Sequence, residues 1–144
     1  MFNKKSLKDI DVKGKRIFCR CDFNVPINNE GEITDDTRIK AALPTIRYLL
    51  DQGAKVILAS HLGRPKGKPD PAFSLCPVAT RLSQLLGQQV IMAPDSIGEN
   101  IQLLAQQLNA GSVMLLENVR FHRGETDNDP LFAKQLASLG EIYV

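Results

Sequence analysis

The chain has 144 residues, 43% of them hydrophobic and 24% charged, with a formal net charge of +2. That length supports one domain with a real core, and the proportions are those of a globular protein. The near-neutral charge and few aromatics argue against a nucleic-acid partner, and no apolar run approaches the ~20 residues that span a bilayer. The polar N-terminus lacks the apolar stretch of a secretory leader. Lys4, Lys5, Lys8, Lys13, Lys15, Arg16 and Arg20 make that end basic, which reads most simply as a solvated segment.

Residues 16–23 predict the first strand, with Ile17, Cys19, Cys21 and Phe23 on one face and Val25-Pro26 ending it. Asn28-Asn29-Glu30-Gly31 has turn chemistry. Thr34, Asp35 and Asp36 offer N-cap acceptors to a helix reaching about residue 52, striped by Ile39, Ala42, Leu43, Ile46, Leu49 and Leu50. Pro44 should kink this helix or mark a loose first turn, and Gly53 should stop it. Residues 54–60 form a nearly all-apolar strand, as expected in the middle of a parallel sheet. After a Gly/Pro/Lys loop over 61–73, Ser74 should cap a helix over about 76–86, with Gly87 as its stop. Residues 88–92 predict a short strand, and Asp95 or Ser96 a cap for a helix reaching Leu108. Residues 112–116 predict another strand, followed by a polar loop over 117–127. Asp129-Pro130 pairs an N-cap with proline at the first helical position, for a helix to about residue 138. Residues 141–144 begin one more strand.

Strand and helix alternating in this way predict an α/β domain with helices on both faces of a parallel sheet. All strands of such a sheet end on one edge, and ligands bind in the crevice there. Three polar clusters follow apolar strands: Asp22-Phe23-Asn24, the loop from His61 to Lys68, and Asn118-Val119-Arg120-Phe121-His122-Arg123. One edge should therefore collect Asp, Asn, His and several Arg, a set suited to a small polyanionic molecule bearing hydroxyls. The last strand carries no such loop, so the chain is expected to be one domain, residues 1–144, cut from a longer protein.

Arg64 supplies a planar fork for phosphate or carboxylate oxygens, and His61 stands three residues before it. Gly63 and Gly67 would let backbone amides approach a ligand, while Lys66 and Lys68 fit a solvated loop. Asp22 can accept from hydroxyls and Asn24 can donate or accept, although an Asx-turn into Val25-Pro26 is the rival explanation. Arg38 falls in the first turn of a helix, where a cation opposes the helix dipole, so it reads as anion-directed or as paired with Asp35 or Glu32. Arg120 is either a ligand contact or a partner for Glu117. Arg20 is expected to pair with a buried acid.

Cys19 and Cys21 share a strand face, with Cα atoms roughly 6.5 Å apart, near the upper limit for a bridge and with unsuitable side-chain vectors. With Cys76 they read as free thiols of a reducing compartment, packing as small apolar residues. No metal-ligand cluster appears, and neither does G-x-G-x-x-G, G-x-x-x-x-G-K-[ST], H-E-x-x-H or G-x-S-x-G. A non-catalytic phosphate-binding module is therefore the competing class of function.

The segments Arg20-Cys21-Asp22-Phe23-Asn24-Val25-Pro26, Ile33-Thr34-Asp35-Asp36-Thr37-Arg38-Ile39, Ser60-His61-Leu62-Gly63-Arg64-Pro65-Lys66-Gly67 and Leu115-Leu116-Glu117-Asn118-Val119-Arg120-Phe121 resemble phosphoglycerate kinase, in the family's order. The resemblance covers the N-terminal lobe of that family. It implies a Rossmann-like, three-layer α/β/α parallel sheet that binds 3-phosphoglycerate or 1,3-bisphosphoglycerate. It implies phosphoryl transfer between 1,3-bisphosphoglycerate and ADP, with Mg-ATP or Mg-ADP held by a C-terminal lobe and no cofactor bound by this chain. By the same resemblance Asp22, Phe23 and Asn24 orient the glycerate. His61, Leu62, Gly63, Arg64 and Arg120 hold its non-transferred phosphate, and Arg38 is the catalytic cation at the transferring phosphoryl. A cytoplasmic monomer inactive without its second lobe is the corresponding expectation. Cys21 and Arg123 depart from the family pattern, the first as a packing change and the second without an assigned role.

Overall fold

The computed structural model describes residues 11–63, 71–122 and 129–144. Along them run β1 (Arg16–Arg20), α1 (Thr37–Asp51), β2 (Lys55–Ala59), α2 (Cys76–Leu86), β3 (Val90–Met92), α3 (Glu99–Gln106), β4 (Val113–Leu115), α4 (Pro130–Ala137) and β5 (Ile142–Tyr143). Short 3-10 turns lie at Pro71–Phe73 and Val119–Phe121. The strands form one sheet in the order β3-β4-β2-β1-β5, and each neighbouring pair is parallel.

The pleat sorts the core into two layers. Ile17, Cys19, Val56, Leu58, Val113 and Leu115 face one side, where Ile39, Ile46 and Leu49 of α1 and Val78, Ala79 and Leu82 of α2 cover them. Phe18, Ile57, Ala59 and Met114 face the other, against Ile101 and Ala105 of α3 and Phe132 and Leu136 of α4. Covering both faces explains why β2 reads as a continuous apolar run rather than an alternating one. The three-layer α/β/α architecture expected from the sequence is what forms.

Strand order and helix placement are linked by handedness. The chain steps from β1 to β2 and on to β3 in one direction along the sheet, then reverses from β3 to β4 and from β4 to β5. Right-handed crossovers put the helices of opposite steps on opposite faces. Hence α1 and α2 share one face, and α3 and α4 share the other.

Several local readings are refined. Pro44 neither ends nor divides α1, which continues through it with the proline on its exposed side. Asp36 occupies the N-cap position without capping; Asp35 does the work instead, accepting from the Thr37 N–H at 2.9 Å and its hydroxyl at 2.6 Å. Neither Asp95 nor Ser96 caps α3, which starts after Gly98 at φ 118°, a conformation suited to glycine. Asp129 caps as expected, accepting from the Leu131 N–H, and Gly87 ends α2 at φ 72°; Leu75 rather than Ser74 holds the α2 N-cap position, and Ser74 just before it accepts from the Cys76 N–H. β1 stops at Arg20, its exposed last residue, short of the expected bound at residue 23. At the far edge Gly140 lets β5 approach β1, because a Cβ there would lie 2.8 Å from Phe18 N.

Candidate functional site

The reversal of chain direction locates the crevice. β2 hands its chain to one face and its neighbour β4 to the other, so their carboxyl ends part at a topological switch point. β1 lies on the other side of β2, so the exits of β1, β2 and β4 stand side by side along one edge.

At the β1 exit the Cys21 N–H adds one further rung to Ala59 O at 2.9 Å, and the chain then turns. Asp22 Oδ1 accepts from the Asn24 N–H at 3.2 Å, so the Asx-turn reading is present in the structure. Phe23 is fully buried, and its N–H donates to Ser60 Oγ at 2.9 Å. Asn24 Oδ1 accepts from the Gly63 N–H at 2.9 Å, which ties the β1 exit to the β2 exit. Arg38 reaches across from α1, with Nη1 donating to Asn24 O and lying 3.4 Å from Asp22 Oδ1. Its ion pair is thus with Asp22 rather than with Asp35 or Glu32. Both side chains are more than half exposed, so this pair is weak and leaves the guanidinium accessible.

The β2 and β4 exits are joined by Asn118, which is fully buried. Its Nδ2 donates to Leu62 O at 2.7 Å and to Phe73 O at 2.9 Å, while its Oδ1 accepts from the Arg120 N–H at 3.0 Å. Val119 N–H donates to Ser60 O, and Ser60 Oγ donates to His61 O. Glu117 is taken up by the start of α2, accepting from Ser74 Oγ at 2.7 Å, Leu75 N–H at 2.8 Å and Asn118 N–H at 2.9 Å. That answers the alternative for Arg120. Glu117 is otherwise engaged, and among the described residues the Arg120 guanidinium has no ion pair.

These bonds form an unbroken run. Arg38 bonds the Asn24 carbonyl, Asn24 bonds the Gly63 N–H, the peptide link leads back to Leu62, whose carbonyl bonds Asn118, and Asn118 bonds the Arg120 N–H. The run links Asp22, Phe23, Asn24, Arg38, Leu62, Gly63 and Arg120, and His61 lies within it as a half-buried residue. Gly63 sits at φ +61° with its Cα against the Phe73 ring, where a Cβ would come within 2.5 Å of ring carbons. Its glycine character thus serves chain packing, and its N–H is engaged by Asn24. Arg64, Gly67, Lys66, Lys68 and Arg123 lie outside the described residues.

Ser60, Phe73 and Asn118 carry no assigned role in the sequence reading. The signal for Asn118 is its position, a single amide between the apolar run Leu115-Leu116 and the buried Val119. Such an amide needs partners, and adjoining loops supply them. Near the edge, Thr37 holds the Asp35 carboxyl below its ordinary value, and Arg81 does the same for Asp36. Among the described residues no group of three or more His, Cys, Asp or Glu could hold a metal ion. No helix among them is long and apolar enough to cross a membrane.

The fold and this edge define an α/β domain in which Arg38 of α1, with an accessible guanidinium, stands beside Asp22 and Asn24 at the β1 exit, and Arg120 follows the neighbouring β4 exit. The family model for phosphoglycerate kinase matches residues 7–144, and the chain belongs to that family. It is 56% identical to phosphoglycerate kinase of Aquifex aeolicus over 144 residues, all of this chain and 36% of that one. It is 60% identical over 139 residues to a Triticum aestivum protein named phosphoglycerate kinase, cytosolic, covering 96% of this chain and 34% of that one. Among solved structures it is similar to phosphoglycerate kinases of Coxiella burnetii (TM-score 0.83, 40% identity, 95% of this chain, 33% of that one) and Pyrococcus horikoshii (TM-score 0.84, 33% identity, 95% and 35%). The chain thus spans about a third of the length of the curated relatives it matches.

Proposed function

We propose that residues 1–144 are the glycerate-binding part of a glycolytic phosphoglycerate kinase, which transfers a phosphoryl group between 1,3-bisphosphoglycerate and ADP. The observation that carries this reading is the hydrogen-bond run across the three strand exits, with Arg38 at one end and Arg120 at the other. Asp22 and Asn24 face the glycerate hydroxyl and carboxyl end, Asp22 accepting and Asn24 using its Nδ2 donors, since its Oδ1 already serves Gly63. Arg120 grips the non-transferred phosphate together with His61 and Arg64, and the Leu62-Gly63 backbone shapes that end of the pocket. Arg38 stabilises the equatorial oxygens of the transferring phosphoryl, in a reaction where positioning and charge stabilisation dominate.

The nucleotide, as Mg-ATP or Mg-ADP, is held by residues outside this stretch, and closure of the two parts over the substrates excludes water. A cytoplasmic, monomeric working unit goes with this reading, and one relative is named cytosolic. Calorimetric titration of 3-phosphoglycerate is the test. Saturable 1:1 binding that unphosphorylated glycerate does not reproduce supports the proposal, and absence of saturable binding overturns it. The 144-residue chain on its own should give no turnover in a coupled kinase assay.

A further inference from the structure

Cys19 and Cys21 bring their sulfurs to 3.8 Å at the carboxyl end of β1. Both are free thiols; Cys19 is 4% exposed in the core, and Cys21 packs against the same cluster while half-buried. The remaining thiol, Cys76, is exposed at the start of α2. The hydrogen bond from Cys21 holds the Cys19 thiol below its ordinary value, and the same contact together with burial pushes Cys21 up. The pair therefore gives up its first proton more readily than an isolated thiol, and the thiolate is the reactive form.

We propose that Cys19 and Cys21 are an oxidisable dithiol, closed to a disulfide by hydroperoxides, and that closure pulls the β1 exit away from its hydrogen bonds. In the first step the thiolate takes OH from the hydroperoxide, whose O–O bond breaks, and alcohol or water leaves after protonation. In the second, the other sulfur gives up its proton and attacks the sulfenic sulfur, and water departs. Two thiols and one hydroperoxide become one disulfide, one water and one alcohol (or a second water), with the sulfurs oxidised and the peroxide reduced.

Geometry supplies the coupling. Alternate residues of a strand have Cα atoms roughly 6.5 Å apart, at the upper end of what a disulfide spans. Drawing the sulfurs from 3.8 Å to about 2.0 Å therefore contracts the backbone around Arg20. Cys19 is fixed in the core, so Cys21 moves. The groups beside it are the last rungs of the sheet, Arg20 N–H to Val144 O at 3.2 Å and Cys21 N–H to Ala59 O at 2.9 Å. The Phe23 N–H bond to Ser60 follows immediately. A disulfide strained in this way is easily reduced, so the change is reversible by thiols. Its consequence for the glycerate site, displacement of Asp22 and Asn24 and weaker substrate binding on oxidation, rests on the function proposed above.

The experiment treats the intact protein with hydrogen peroxide, blocks free thiols and digests with trypsin without reduction. Cleavage after Arg16, Arg20 and Arg38 puts Cys19 and Cys21 on separate peptides, 17–20 and 21–38, which only a disulfide can join. The expected product is that joined pair, released by dithiothreitol and absent from Cys21→Ser. In the oxidised protein, hydrogen exchange at the Cys21 and Phe23 amides should be roughly tenfold faster, with α2 and α3 unchanged. Native exchange in Cys21→Ser confirms that the variant folds. The proposal is overturned if both thiols stay open to alkylation or pass to sulfinic acid without joining, or if the joined form shows unchanged exchange. Neither readout uses a ligand, so this failure is distinct from failure to bind 3-phosphoglycerate.

Discussion

The β2–β4 exits and the β1 exit face the same edge but are built in opposite ways. Asn118, at the β2–β4 junction, is fully buried, and each of its polar atoms is engaged by backbone. Asp22 and Arg38, at the β1 exit, are more than half exposed and meet at a long 3.4 Å. A buried, fully bonded amide fixes geometry, because leaving its partners unsatisfied is costly. An exposed ion pair fixes little and can exchange its partner for a ligand anion. The edge therefore divides into a rigid base and a side that is free to rearrange.

The sharpest way to break this division is at Asn118. Asn118→Ala strands the Leu62 and Phe73 carbonyls and the Arg120 N–H, and should cost about 3 kcal/mol of stability, read by urea denaturation. A cost below about 1 kcal/mol would mean water replaces the amide and the base is not rigid. Arg38→Ala should leave stability nearly untouched and lower kcat in the intact enzyme by about 10²-fold, with little change in apparent glycerate affinity. A raised KM at constant kcat would instead place Arg38 in ground-state binding. Arg120→Ala should weaken 3-phosphoglycerate by about 2 kcal/mol in calorimetry. Loss of stability instead of affinity would make Arg120 part of the base.

A smaller effect is expected at the hinge between the two regions. Gly63→Ala puts a Cβ within 2.5 Å of the Phe73 ring at φ +61°, and should cost roughly 1–2 kcal/mol, since the ring can yield in part. The smallest concerns pH. Asp36 titrates below its ordinary value because Arg81 bonds it, so its contribution is present above the unfolded carboxyl pKa of about 4 and is lost as pH falls through the lower folded value. Arg81→Ala should flatten that acid limb in denaturation measured across pH, lowering stability slightly near pH 7 and leaving it unchanged below the folded value.

Element types were legible in the sequence, because the apolar spacing of Ile39, Ile46 and Leu49 fits a helix and the unbroken run Val56-Ile57-Leu58 fits a strand covered on both faces. Caps were less legible. Asp35, Asp36, Asp95 and Ser96 are all plausible acceptors, and tertiary partners decided among them: Arg81 drew Asp36 away, and His122 bonds Asp95 at 2.6 Å. Asp22, Asn24, Arg38 and Arg120 could be picked out because charge beside a strand end is conspicuous. Ser60, Phe73 and Asn118 could not, since their value lies in contacts 37 to 56 residues apart in sequence that no local pattern encodes.

The strand order also sets a timetable for synthesis. β2 finds one neighbour in β1, made just before it, but its other neighbour is β4. At ribosomal speeds the residues between Ala59 and Val113 take on the order of 3–10 seconds to appear. Through that interval β2, whose Val56, Ile57, Leu58 and Ala59 are fully buried in the finished fold, has an open edge, and Asn118, which will fasten its loop, does not yet exist. A nascent chain of this kind is most exposed to misassembly in that interval, and is relieved when β4 slots in beside β2.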